Sequence, residues 1–380
     1  MFGWFKRKHE TRSDPSWQGL SHQGPPVGGT NPKVAENLST VLACVSAIST
    51  AIGSLPAWVY TRTDAGRQVD PAHPLMRLVR LGANDYQTWP EFMEWITAST
   101  LLRGNGLAEV RRDNAGRVTA LIPIPWEWAS VHLLPTGRLA YDVTDVQHVY
   151  GGSGRTRRLL QDEVMHLRDR SDDGLIGRSR LDRARSVVSA GMEIQDYAEQ
   201  MFGNAATPSG VIEADGKIDT EAMNKLKRQF REAYTGTKNA RKAMLLDQGL
   251  KFKPISVSPE DAELLASRRF TVEELARIYQ VPPPIVGDLS HGTFTNTETV
   301  GRWFAQHTLT PWIRKIEAEM LRSVFTERSR IDHEFELDLS GFLRGDPEQR
   351  WASHKIAVEA NILDTDEIRE IEGFRPRGAA

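Results

Sequence analysis

A chain of 380 residues is long enough for two or three domain-sized units, and its 39% hydrophobic and 26% charged residues are those of an ordinary soluble globular protein. A formal net charge of -2 argues against coating nucleic acid through bulk positive charge. One cysteine, Cys44, excludes an intrachain disulfide and a cysteine-based zinc site, and fits a small buried hydrophobe in a chain compatible with a reducing cytoplasm.

Residues 1–30 are polar and rich in Gly and Pro, and read as a flexible N-terminal arm. The opening MFGWFKRKHETR lacks the apolar core of a secretory signal. Leu38–Tyr60 carries no charge and is nominally long enough to span a bilayer. Recurrent Ser and Thr, a stop at Pro56, and Val41, Val45, Ile48 and Ile52 at helical spacing predict instead a core helix over Leu38–Ser54. A strand follows at Ala57–Thr61, turning at Asp64-Ala65-Gly66. A helix is predicted over Trp89–Leu102, with Pro90 in its first turn and Phe92, Trp95, Ile96 and Ser99 on one face. Arg103-Gly104-Asn105-Gly106 reads as a turn after it. Strands Leu107–Arg112 and Val118–Pro123 flank the turn signal Asp113-Asn114-Ala115-Gly116; strands Ala129–Leu134 and Leu139–Val143 flank Pro135-Thr136-Gly137-Arg138. His166, inside the strand-like VMHLR, reads as a satisfied structural histidine. Arg168 to Asp173 reads as a solvated loop ended by Gly174 rather than a carboxylate site.

Leu181–Asn204 is predicted as one helix, with Ala184, Val187, Val188, Gly191, Ile194, Ala198, Met201 and Phe202 on one face. A small α/β unit follows: strand Val211–Glu213, helix Asp219–Tyr234, and a hairpin of Lys242–Asp247 and Lys251–Ser256. Ser258 and Pro259 start the next helix, and the capping pattern repeats at Thr271-Val272-Glu273-Glu274, which predicts a bend near Phe270. A long helix over Thr295–Val324 should kink at Pro311, with Trp312, Ile316, Met320 and Val324 as a packing row beyond it. A strand at Glu334–Leu339 leads to helices at Arg350–Val358 and Thr365–Glu372, the second capped by Thr365. The fold class is α+β.

No P-loop, no GxGxxG after a strand, no HExxH and no GxSxG is present, so no catalytic, cofactor or metal site is expected. VEELARIYQVPPPIVGD has the outline of a helix-turn-helix. Its second helix would have to pass through Pro282-Pro283-Pro284 and Gly287-Asp288, with no Arg or Lys before Arg302, which leaves nothing basic to read a major groove.

One ordered set of motifs carries more. Glu274, Leu275, Ala276, Tyr279, Val281, Pro282 and Pro283 precede Asn296 and Glu298, then Thr308, Leu309 and Pro311. Upstream stand Thr40, Val41, Ala43, Cys44, Val45, Ile48, Ser54, Leu55 and Pro56; then Gly104, Asn105, Gly106, Leu121, Pro123 and Pro125; then Asp162, Val164, His166, Leu167, Asp173, Gly174, Gly177, Ser179 and Leu181. Leu343, Asp346, Arg350, Asn361, Glu367, Arg369, Glu372 and Gly373 close the series. This layout resembles the portal proteins of tailed bacteriophages of the HK97 type. The resemblance implies a ring, a dodecamer in the virion, at one capsid vertex, assembled in the host cytoplasm. Double-stranded DNA would be pumped in through it by the large terminase subunit and ejected through it. Its other partners would be the major capsid protein, scaffold and a head-tail adaptor, with no membrane.

Carried onto this chain, residues 31–180 would be the first part of the wing, 181–206 the first stem helix, 207–257 the clip and 258–287 the second stem helix. Residues 288–297 would be the tunnel loop, 298–340 the rest of the wing and 341–380 the crown. Ser290, His291, Gly292, Thr293, Thr295 and Asn296 are then candidates for touching DNA: small polar groups give weak, sequence-blind phosphate contacts. Lys225, Lys227, Arg228 and Lys238 are candidates for meeting terminase from the clip. A structural head or tail protein that conducts no DNA is the alternative reading.

Overall fold

The computed structural model describes residues 18–19, 31–64, 66–144, 155–203, 210–214, 250–254, 259–289, 297–340, 347–372 and 374. They fall into two units, Met1–Ser189 with Val272–Ala380, and Ala190–Thr271.

In the first unit, strand β1 (Gln18–Gly19) is the described part of the N-terminal arm and pairs with Leu133 and His132. Helix α1 (Pro32–Ala35) starts behind Asn31, whose side-chain oxygen accepts the Lys33 N–H at 3.0 Å. Helix α2 (Ser39–Gly53) buries Val41, Cys44, Val45, Ile48 and Ile52, so the uncharged stretch is a core helix as predicted. Among the described residues no helix is long and apolar enough to cross a membrane. Strands β2 (Ala57–Thr63) and β3 (Gly66–Val69) form an antiparallel pair, followed by α3 (Pro74–Leu81). β3 is exposed at every residue and carries no apolar alternation, which is why its sequence gives no strand signal.

Helix α4 (Trp89–Arg103) has a full capping box: Thr88 Oγ1 accepts the Glu91 N–H, and the Glu91 carboxylate accepts the Thr88 N–H at 2.7 Å. It packs on α2 so closely that a Cβ on Gly53 would meet the Pro90 carbonyl oxygen at 2.9 Å. Gly104, with φ 80, ends α4. The chain then runs straight into β4 (Asn105–Arg112), so Asn105 and Gly106 are strand residues and not the turn expected of them.

β4 is the centre of an antiparallel sheet, between β5 (Val118–Ile124) and a strand further along. Next come β6 (Ala129–Leu133), β7 (Leu139–Thr144) and β8 (Thr156–Leu160), which with β1 form a sheet of order β1-β6-β7-β8. β9 (Val164–Arg168) returns to β4, setting His166 opposite Leu107. Leu107, Ile124, Val131, Tyr141, Val143, Leu159 and Val164 make one continuous core between these sheets.

Helix α5 (Arg180–Arg183) and α6 (Arg185–Gly203) replace the single helix predicted from Leu181. Ala184, at φ -105 and ψ 30, breaks the helical run between them. In the second unit, β10 (Gly210–Ala214) pairs antiparallel with β11 (Leu250–Pro254). The strand predicted at Lys251–Ser256 therefore pairs with the one predicted at Val211–Glu213. The predicted helix Asp219–Tyr234 and strand Lys242–Asp247 lie outside the described residues.

Helix α7 (Pro259–Tyr279) is one continuous helix, so no second helix begins at Thr271 as the repeated capping pattern suggests. Thr271 does not cap a new helix. Its hydroxyl donates to the Ser267 carbonyl four residues back at 2.9 Å, the bond a threonine makes inside a helix.

A 3-10 turn, Pro283–Val286, follows. The long helix is described from Thr297: α8 (Thr297–Trp303), a π-helical stretch Phe304–Leu309, then α9 (Thr310–Ser323). The irregularity expected at Pro311 thus takes the form of a widened turn just before it. The Thr310 N–H reaches back five residues to the Ala305 carbonyl, and its hydroxyl donates to the same oxygen at 2.9 Å. The wider turn relieves the clash a proline ring makes with a normal preceding turn. Trp312, Ile316, Met320 and Val324 are all buried, as their spacing predicts, and each contributes about 1.5–3 kcal/mol of burial. α10 (Ser329–Asp332) leads to β12 (His333–Leu337), which pairs antiparallel with β2 and closes the sheet β12-β2-β3.

The chain ends on α11 (Pro347–Glu359) and α12 (Thr365–Ile371). Asp364, not Thr365, opens α12. Its side chain accepts the Asp366 N–H at 3.1 Å, and Glu367 accepts the Asp364 N–H at 2.7 Å.

Candidate functional site

Both sets of site residues read from the sequence lie outside the described residues. For Ser290, His291, Gly292, Thr293, Thr295 and Asn296 the structure gives the two anchor points. On the near side, Gly287 is left-handed (φ 89) and the Asp288 N–H bonds the Pro283 carbonyl at 3.0 Å; on the far side α8 begins at Thr297. Lys225, Lys227, Arg228 and Lys238 belong to the connection between the paired strands β10 and β11.

Within the first unit a polar cluster lies around the end of α4, β9 with the loop after it, and α9. The loop after β9 lies against the end of α4 at backbone distance. A Cβ on Gly177 would fall 2.0 Å from the Gly104 carbonyl oxygen, and one on Gly104 would fall 2.6 Å from Ser179 N. Asn105 fixes this contact, since its Oδ1 accepts the Gly177 N–H and its Nδ2 donates to the Gly177 carbonyl, both at 2.8 Å. That pairing sets the amide's orientation. His166 Nε2, 2.9 Å from Asn105 Oδ1, must then be the protonated nitrogen, and Nδ1 accepts from the Tyr141 hydroxyl at 3.0 Å. Burial, with the nearby Arg168 and Arg322 charges, pushes the His166 pKa well below the usual histidine range. A neutral imidazole with both nitrogens bonded holds structure, as its place in the strand suggests.

Beside it, the Glu319 carboxylate on α9 accepts the His166 N–H at 2.8 Å and two bonds from Arg322. Asp172 and Asp173 are exposed, as a solvated loop requires. Asp169 is the exception. It is buried, and its Oδ2 accepts from Arg180 Nε at 2.8 Å while Lys315 Nζ lies 3.7 Å from Oδ1. The signal for this was an acid placed directly after the buried strand VMHLR, at the point where the chain has not yet reached solvent. Arg180 also donates through Nη1 to the Ile278 carbonyl in the last turn of α7, at 3.1 Å. Trp312 lies beneath both cations, 5.3 Å from the Arg180 guanidinium carbon and 4.9 Å from Lys315 Nζ. Burial pulls the Lys315 pKa down, against the upward pull of Asp169. After α7, Gln280 sits at φ 59, and the buried Thr308 of the π-helical turn donates its hydroxyl to the Gln280 carbonyl.

Residues 39–373 match the phage portal protein family. The chain is 31% identical over 344 residues to the portal protein of Enterobacteria phage HK97, covering 89% of this chain and 79% of that one. It is 28% identical over 377 residues to a probable portal protein of Streptomyces phage phiC31, covering 96% and 80%. Among solved structures, a chain in the neck of a native gene transfer agent particle, computed with C12 symmetry, superposes with a TM-score of 0.64 at 23% identity, over 93% of this chain and 96% of that one. An HK97-family phage portal protein from Corynebacterium diphtheriae superposes with a TM-score of 0.55 at 16% identity, over 84% and 98%. At those identities the structures speak for the fold, while the sequence match speaks for descent across nearly the whole chain. This protein belongs to the phage portal protein family.

Proposed function

We propose that the chain assembles into a closed ring of twelve copies around a channel for double-stranded DNA. It would sit at one vertex of the capsid, bound to the major capsid protein, with scaffold assisting its assembly in the host cytoplasm. The large terminase subunit would drive DNA inward through the ring, and a head-tail adaptor would later join it to the tail through which DNA leaves. The family match over residues 39–373 carries this reading. The twelvefold neck of a structural neighbour supports the copy number. Copies in such a ring meet through two different surfaces whose rotation closes.

In this reading residues 31–180 and 298–340 form the wing, 181–206 and 258–287 the stem, 207–257 the clip, 288–297 the tunnel loop and 341–380 the crown. The clip and the adjoining parts of both stem helices fall within the unit Ala190–Thr271, while 181–189 and 272–287 group with the wing residues. Ser290, His291, Gly292, Thr293, Thr295 and Asn296 would touch DNA without gripping it. Lys225, Lys227, Arg228 and Lys238 would face terminase. The ring would hydrolyse no nucleotide itself, the motor supplying that energy.

Negative-stain imaging of the purified protein, alone and with scaffold, tests the proposal. Rings with a central hole wide enough for duplex DNA are expected. Only monomers and dimers, across concentration and salt and with scaffold present, would overturn it.

A further inference from the structure

The chain crosses between its units twice, at Ser189/Ala190 and at Thr271/Val272. On the first-unit side, the outgoing path begins at α5 and the returning path ends in the last turn of α7. Both meet one ion cluster, built on the buried Asp169, with Arg180 half-buried and Lys315 exposed. Asp169 takes Arg180 from α5 on one oxygen and faces Lys315 from α9 with the other. Arg180 spends a second donor on the Ile278 carbonyl of α7. The Asp169 N–H is itself bonded to the Gly104 carbonyl at 2.9 Å, so the carboxylate rides on the rigid end of α4.

We infer that Asp169 is a positioning residue whose carboxylate, through Arg180, clamps the outgoing and returning paths to the long helix as one body. Arginine suits this place for a physical reason. Its planar fork presents separate donors to Asp169 and to the Ile278 carbonyl at once, whereas a lysine ammonium is a single point on a flexible stem. The Trp312 ring under both cations fixes their height above α9. The clamp lies wholly in the first unit and holds whatever passes through a ring. In a portal it would make the two crossings move together.

Hydrogen exchange on the purified full-length protein tests this amide by amide. On the outgoing side the Ala184 N–H bonds the Arg180 carbonyl, and the Val187 and Val188 N–H groups bond that of Ala184. On the returning side the Gln280 and Val281 N–H groups bond the carbonyls of Arg277 and Ala276. Asp169→Asn removes the charge at constant size and should speed exchange in both groups together, at least tenfold, with the amides of α2 and α4 unchanged. Arg180→Lys separates the clamp from ordinary packing: lysine still reaches Asp169 but gives up the Ile278 carbonyl. It should loosen the returning group at least tenfold while the outgoing group stays within about threefold of wild type.

Should Asp169→Asn fail to fold, Arg180→Lys decides alone. Equal loosening of both groups by Arg180→Lys, loosening of neither, or matching acceleration in α2 and α4 would each overturn the clamp.

Discussion

Asn105→Ala offers the most direct test of how the first unit is held together. Asn105 is 1% exposed, and its amide bonds the Gly177 N–H, the Gly177 carbonyl and His166 Nε2. Alanine leaves all three groups buried without these partners. Each buried polar group left unsatisfied costs about 1–3 kcal/mol, so the loss should be about 3–6 kcal/mol once partial relaxation is allowed. That is a large part of the total stability of about 5–15 kcal/mol that a domain has. Urea unfolding followed by tryptophan fluorescence measures the loss as a lower midpoint at unchanged slope. Asn105→Asp should lose at least as much as alanine, since a carboxylate oxygen in place of Nδ2 would face the Gly177 carbonyl oxygen and bury a charge. A loss below about 1 kcal/mol for Asn105→Ala would refute the reasoning, showing that the contact is held by packing and the three bonds add little.

Four further outcomes are expected. Burial, then the neighbouring His333, lowers the His73 pKa to about 4, with Asp70 opposing. The unfolded chain therefore takes this proton first, and stability present above about pH 6.5 drains away as pH falls toward 4, by about 2 kcal/mol after screening by the solvent His73 still touches. His73→Asn keeps a cap for α3 and should flatten that part of a stability-against-pH curve; an unchanged curve would exclude His73 as its source. The Cys44 thiol is fully buried and its pKa is pushed up to about 12 by burial. It should react with a thiol reagent on the order of a thousandfold more slowly in the native protein than in urea, and fast native labelling would contradict its place in α2. Deleting Ser290–Thr295 should leave rings intact and lower packaging or DNA retention; rings that hold full-length DNA normally would make the segment a mere connector. Replacing Lys225, Lys227, Arg228 and Lys238 by Glu should spare ring assembly and block packaging in an assay with terminase, and normal packaging would remove these four from the contact.

Much of the local structure could be read directly from residue order. The α2 core row, the start of α4 with Pro90 in its first turn, the hairpins around Asp113–Gly116 and Pro135–Arg138, and the row from Trp312 to Val324 each depend on residues within a few positions of one another. Their periodicity or turn chemistry is complete in a short window. The ordered motifs that mark the family were equally legible, because they are a property of the chain and not of its packing.

Where the reading failed, a distant partner or a competing local bond decided. Thr271 has the pattern of a helix cap, but its hydroxyl bonds the Ser267 carbonyl inside α7, which continues through it. Pro311 announced an irregularity, but only the bond from Thr310 back to Ala305 shows that it becomes a widened turn. β3 has no apolar face to reveal it and exists because β2 offers it a ladder of hydrogen bonds. Asp169 shows the limit most clearly. In sequence it is one acid among arginines in a polar loop. In the fold, the end of α4, the start of α5, the last turn of α7 and the flank of α9 converge on it. An ion's burial depends on which distant elements close over it, and no window of neighbouring residues carries that information.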